Sequence, residues 1–111
     1  MTPEANAIAD DIADVGETAI LRRLAPQSIH FDVTVKAVDR GYKVTELTQA
    51  IVQGDHEVRI SNREILTHQW PAPIRNGDQI IMGSKAGKIM GVEVMKIGDE
   101  TVMHLLQVRG L

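Results

Sequence analysis

Residues 76–109 constrain the fold of this chain more than any other stretch. They hold three strand-length segments in succession, 79–82, 88–97 and 101–109. Two glycine-bearing breaks separate them, Gly83-Ser84-Lys85-Ala86-Gly87 and Gly98-Asp99-Glu100. Glycine reaches positive φ without steric cost and Asp hydrogen-bonds its own backbone, so both breaks read as turns for a physical reason. In the last segment Val102, His104, Leu106 and Val108 share one face, and Met103, Leu105, Gln107 and Arg109 share the other. Alternation at every second residue marks a half-buried strand. An up-and-down meander of this kind must be covered on its apolar face, and the rest of the chain has to supply the cover.

Upstream the same pattern recurs. Residues 18–24 form a first strand that Pro26 ends, because proline lacks the ladder donor. Residues 31–38 alternate cleanly, with Phe31, Val33, Val35 and Ala37 against Asp32, Thr34 and Lys36. Residues 48–53 and 57–60 read as a strand pair around Gly54-Asp55. Residues 39–47 break the alternation and read as a surface loop carrying Arg40, Gly41, Tyr42 and Lys43. Ser61 followed three residues later by Glu64 has the form of a capping box and starts one short turn that places Ile65 and Leu66. Trp70-Pro71-Ala72-Pro73 is a stiff connector, since a residue before proline is biased to extended geometry.

The N-terminus differs. Thr2 can cap a helix, Pro3 suits its first position and Glu4 complements its dipole. Ala5, Ile8, Ala9 and Ile12 then make one apolar stripe, and Gly16 is the natural stop. Asp10, Asp11 and Asp14 form an acidic face, either solvated or a docking surface.

The expectation is therefore one domain over residues 1–111. It is mainly β: a small barrel or sandwich of about seven short antiparallel strands over 17–110, with one N-terminal helix over 3–15. A barrel is favoured, because one terminal helix could cover or plug only a small opening. A chain of 111 residues buries roughly 65% of its unfolded surface, enough for one core. With 3% aromatics, that core must be aliphatic.

Little in the sequence points to catalysis. There is no cysteine, hence no thiolate zinc site or thiol nucleophile, and no Gly-x-Ser-x-Gly. None of His30, His56, His68 and His104 belongs to a metal spacing of recognised type, and Glu57 points away from His56 across the strand. His104 reads as a hydrogen-bonded, half-buried residue. The glycines of 83–87 lack phosphate-loop spacing and join two strands. No enzyme, metal or cofactor is expected. No apolar run approaches a membrane span, and the expectation is a cytoplasmic protein. A net charge of −3 argues against a general nucleic-acid binder. A nucleic-acid-binding small barrel remains the alternative, although such proteins carry strand aromatics for stacking and Phe31 is the lone example here. Trp70 either packs over the barrel end or anchors a protein interface. Arg40 and Lys43 are either solvated or contact a neighbouring subunit or a polyanion.

In order along the chain stand Leu21-Arg22-Arg23, Arg40-Gly41-Tyr42, Gln53-Gly54-Asp55, Trp70-Pro71-Ala72-Pro73, Asn76-Gly77-Asp78 and Leu106-Gln107-Val108-Arg109-Gly110. Taken in that order, from 17 to 110, the chain resembles the small neck proteins of tailed phages and prophages. More closely, it is similar to the head-closure (stopper) and head–tail joining proteins of siphophages and gene transfer agents. The resemblance implies a virion protein that assembles in the host cytoplasm. It implies a ring of about six copies, formed on a template below the portal and adaptor proteins. Such a ring retains packaged double-stranded DNA and docks a tail-terminator or tail-tube protein. It also implies a working loop near 39–47, so that Arg40, Gly41, Tyr42 and Lys43, with Trp70, become the candidate subunit or channel contacts. The N-terminal helix is not part of the resemblance.

Overall fold

The structure, a computed structural model, describes residues 2–24, 30–41, 54–71 and 73–111. Six strands are present among them: β1 Glu17–Leu24, β2 His30–Gly41, β3 His56–Ser61, β4 Gln79–Met82, β5 Lys85–Ile97 and β6 Glu100–Arg109. All pairings are antiparallel, and the strands close into a barrel in the order β1-β2-β3-β6-β5-β4. Each strand has two neighbours, but β4 pairs with β5 only over Lys85–Lys88, so the rest of β5 is paired along one edge, with β6. The expected strand at 48–53 lies outside the described residues.

Alternation fixes which side of each strand faces inward. Ala19 and Leu21, Val35 and Ala37, Val58 and Ile60, Ile80, Ile89, and Leu106 and Val108 form one interior cluster. The aliphatic core expected from the composition is thus the barrel lumen. Its turns are tighter than the sequence suggests. Met82 pairs with Lys85 and Ile97 with Glu100, leaving two-residue turns at Gly83-Ser84 and Gly98-Asp99. Gly83 and Gly98 take φ of 63° and 61°. A glycine at positive φ in the first turn position matches strand twist in a two-residue hairpin, so five residues are not needed.

Helix α1, Pro3–Val15, begins as the sequence predicts. Thr2 caps it, with Oγ1 accepting from the Ala5 N–H at 3.2 Å. Gly16 does end it, but with extended backbone at φ −77°. The reason for glycine here is space: a Cβ would lie 2.5 Å from the Ile12 carbonyl oxygen and 3.1 Å from that of Ala37. The helix does not plug the barrel. Ala5, Ile8 and Ile12 pack against Val38, Met95, Met103 and Leu105. These stand on the strand face opposite to Ala37, Leu106 and Val108, so α1 lies along the outer wall.

The plug comes from elsewhere. β3 and β4 follow one another in sequence yet stand three strands apart in either direction around the barrel. Their connection must therefore cross an open end. It begins with a short helix, α2 Asn62–Thr67, capped by Ser61 Oγ on the Glu64 N–H as the capping box predicts. Ile65, Trp70 and Ile74 of this crossing join the interior cluster. Leu66, on the same turn as Ile65, is 60% exposed.

Candidate interaction surface

The expected loop at 39–47 starts later than the sequence suggests. Asp39, Arg40 and Gly41 continue β2, paired with Val58, Glu57 and His56. Their side chains break the apolar alternation, but the backbone ladder runs on regardless. Tyr42, Lys43 and the remainder to 47 lie outside the described residues. Arg40 holds Glu57 with both ends of its fork, Nε to Oε1 at 3.2 Å and Nη2 to Oε2 at 2.9 Å. Arg59 Nε reaches the same Oε1 at 2.6 Å. Hydrogen bonding from Arg40 first, against the opposing effect of burial, and then from Arg59 holds the Glu57 carboxyl below the usual carboxylate range. Arg40 is thus a strand residue in a charge network on the outer wall.

Trp70 is 4% exposed, its ring buried in the fold. Its ring centroid lies 5.4 Å from that of Phe31, and the Arg23 guanidinium sits 5.0 Å above it. Phe31 and Arg40 are nine residues apart on β2, about 30 Å at the rise of a strand. Arg40 and Gly41 belong to one end of β2, and Trp70 to the other.

Residues quoted for the resemblance meet instead in two polar nodes. In the first, Arg23 donates to Asp78 from Nε at 3.0 Å and from Nη2 at 2.9 Å. The same guanidinium donates to the carbonyls of Pro71 and Pro73, each at 2.7 Å. Asp78 Oδ2 also accepts from the Arg75 N–H at 2.8 Å. In the second, Asp55 accepts from Arg109 Nε at 2.9 Å, Arg109 Nη2 at 3.0 Å and Gln107 Nε2 at 2.9 Å. Comparison with known protein families, with curated proteins and with solved structures gives no match. The two nodes are what connects the ordered motifs physically: one ties β1 to the crossing segment, the other ties the turn before β3 to the end of β6.

The histidines keep ordinary structural places where they are described. His104 is buried and meets Asn62 Oδ1 at 2.9 Å through Nε2. The amide oxygen can only accept, so Nε2 carries the proton, and burial pushes the imidazole below its ordinary pKa. His56 Nδ1 lies 2.7 Å from Asp39 Oδ1, and His68 Nε2 lies 3.1 Å from Glu64 Oε2 one helical turn away. Among the described residues no three His, Asp or Glu side chains gather as a metal site. No helix among them is long and apolar enough to cross a membrane.

One surface escaped the sequence reading. Between α1 and the β5–β6 hairpin runs an open groove lined by Ile8, Ile12, Val15, Val38, Met95 and Met103, with Asp11 and Arg59 at its sides. The methionines were legible only as outward members of strand alternation. That a helix would lie beside them and leave a gap is a tertiary fact.

Proposed function

We propose that this protein is an architectural subunit of a phage-type neck, of the head-closure or head–tail joining kind. Its copies form a ring that retains packaged DNA and docks the tail. The observation that carries this reading is the ordered set of motifs along 17–110, whose members pair off as Arg23–Asp78 and Asp55–Arg109. A closed barrel is also suited to the task. Every strand has two neighbours around the barrel, so the subunit is a rigid building block for a ring. The negative net charge suits a conduit along which DNA slides without being held.

In this reading the portal or its adaptor lies above the ring and a tail-terminator or tail-tube protein below it. Double-stranded DNA is a passing occupant. The test is deletion of the gene from a phage or prophage that encodes the protein, followed by electron microscopy of the particles. DNA-filled heads without tails, or heads that have leaked their DNA, are expected, with rescue by the gene in trans. Complete infectious particles without the protein would overturn the reading. Tight binding of single-stranded DNA with a steep salt dependence would replace it by the nucleic-acid-binding alternative.

A further inference from the structure

Strand β5 outruns its neighbour on one side. β4 meets it over Lys85–Lys88, and the turn before β4 adds one rung. There the Ile89 N–H donates to the Asp78 carbonyl and the Gly77 N–H to the Ile89 carbonyl, each at 2.8 Å. Beyond Ile89 the strand runs on to Ile97 with β6 along one edge and no strand among the described residues along the other.

The register identifies the backbone groups left over. Ile89 spends its N–H and C=O on the β4 side, away from Val108, its opposite number on β6. The ladder then steps from Ile89–Val108 to Gly91–Gln107, so Met90 is an extra residue. An extra residue shifts the alternation by one. Gly91, Glu93 and Met95 therefore bond to β6, while Val92, Val94 and Lys96 turn their N–H and C=O groups outward. None of these outward groups has a backbone partner among the described residues.

The strand is also bare at this end. On β6, Val102 and Met103 pack on α1, and His104 meets Asn62 of α2. On β5, Met95 joins the α1 cluster, but Glu93, Val94, Lys96 and Ile97 are exposed, Val94 by 46%. Native sheets ordinarily blunt such an edge with a bulge or a lysine. Here the bulge at Met90 lies ahead of the open run and Lys96 at its far end, so neither interrupts it.

A row of alternating N–H and C=O groups is complementary to another extended strand. We propose that this strand is the same run of a second copy, antiparallel to the first about a two-fold axis at Val94. The fit of the run to itself names the occupant. A two-fold axis between outward groups must pass at Val92, Val94 or Lys96. At Lys96 it would set two ammonium groups face to face, which is unfavourable. At Val92 it would bring Val94 of one copy opposite the bulged Met90 of the other, out of step with the ladder. At Val94 every outward group is paired: Val94 meets Val94, and Val92 meets Lys96. On the other face Glu93 stands opposite Met95, and Ile97 lies over Gly91, which has no side chain to obstruct it. No like charges are opposed. Such a contact is isologous and closes at two copies. It goes beyond the neck reading and does not depend on it.

The outward row gives a signature that other modes of association lack. Amide hydrogen exchange is followed by NMR on the unmodified protein at rising concentration. Protection at Val92, Val94 and Lys96 should rise about tenfold, while Glu93 and Met95, bonded within the chain, stay protected throughout. Sedimentation equilibrium over the same range should show dimers and no larger species. Val94→Lys sets two ammonium groups at the axis and should weaken association about tenfold, whereas Val94→Thr keeps the strand preference and should retain it. Circular dichroism melting verifies that both variants are folded. A protein that stays monomeric at millimolar concentration would overturn the proposal. So would dimers in which the three outward amides exchange as fast as in the monomer, or Val94→Lys dimers as stable as the unmodified ones. Protection of the same amides only when another protein is added would assign the edge to that protein and overturn self-pairing. Particle assembly bears on the neck reading alone.

Discussion

Removing the carboxylate of Asp78 should destabilise the domain severely, and the structure says by how much. The Arg23 and Asp78 side chains are 16% and 6% exposed. Asp78→Ala deletes both arms of the ion pair and the acceptor for the Arg75 N–H. It leaves a guanidinium in place with little access to water. Breaking one side of a buried pair costs about 3–5 kcal/mol. Arg23 keeps the two proline carbonyls and its place over Trp70, so the lower end applies, about 3 kcal/mol. That is a large share of the 5–15 kcal/mol typical of a domain.

The double variant Arg23→Met/Asp78→Ala removes the stranded charge, so it should cost less than the two single changes added, by about 2 kcal/mol of coupling. Arg23→Lys keeps the charge but cannot span a carboxylate and two carbonyls with one ammonium, and should cost about 2 kcal/mol. Urea unfolding followed by fluorescence is the natural assay, because Trp70 is the sole tryptophan and lies in this node. Far-UV circular dichroism in parallel separates local loosening from global unfolding. A loss below about 1 kcal/mol for Asp78→Ala, or additive single changes, would refute the view that this node holds the crossing segment to β1.

Other expectations follow from the same geometry. Val35→Asp places a carboxylate in the lumen at a position 2% exposed and should leave the chain unfolded by circular dichroism. Arg40→Ser removes one of two guanidinium partners of Glu57 at a partly exposed site, and should lower stability by about 1 kcal/mol in urea titration, more than a loop cation would. Gln69 sits at φ 54° after α2, so Gln69→Gly should raise the melting temperature, by relief of about 1 kcal/mol of backbone strain. His104 has its pKa lowered by burial, so the unfolded chain takes up its proton first. Stability should fall as pH drops below about 6.5, and His104→Gln should flatten that part of a melting-versus-pH curve. Glu57, also lowered, adds stability above about 4.5 that is lost as pH falls through its folded value.

What could be read from the residues was whatever depends on near neighbours. The lumen face at Leu106 and Val108, the alternation of 31–38 and the Thr2 and Ser61 caps are set by period-two patterning and local hydrogen bonding, and the structure follows them. The glycine turns fall at the expected places but are shorter, and Val102 packs with Met103 against α1. What depends on distant partners was not legible. Arg40 reads as a loop cation because nothing beside it in sequence pins it, while its partner Glu57 is 17 residues away. Trp70 reads as connector because Pro71 follows it. Its burial follows from β3 and β4 standing on opposite walls, which no local pattern encodes. The motifs behave the same way. Arg23, Asp78, Asp55 and Arg109 lie in four of the six ordered motifs, and they form two ion pairs that fasten the barrel. Their order therefore reports on closure of the fold. Asp11 and Asp14 stand outside these pairs, exposed on α1. Changes at Asp78 should therefore lower the melting temperature strongly, whereas charge reversal at exposed Asp11 and Asp14, which hold no part of the barrel, should leave melting nearly unaltered.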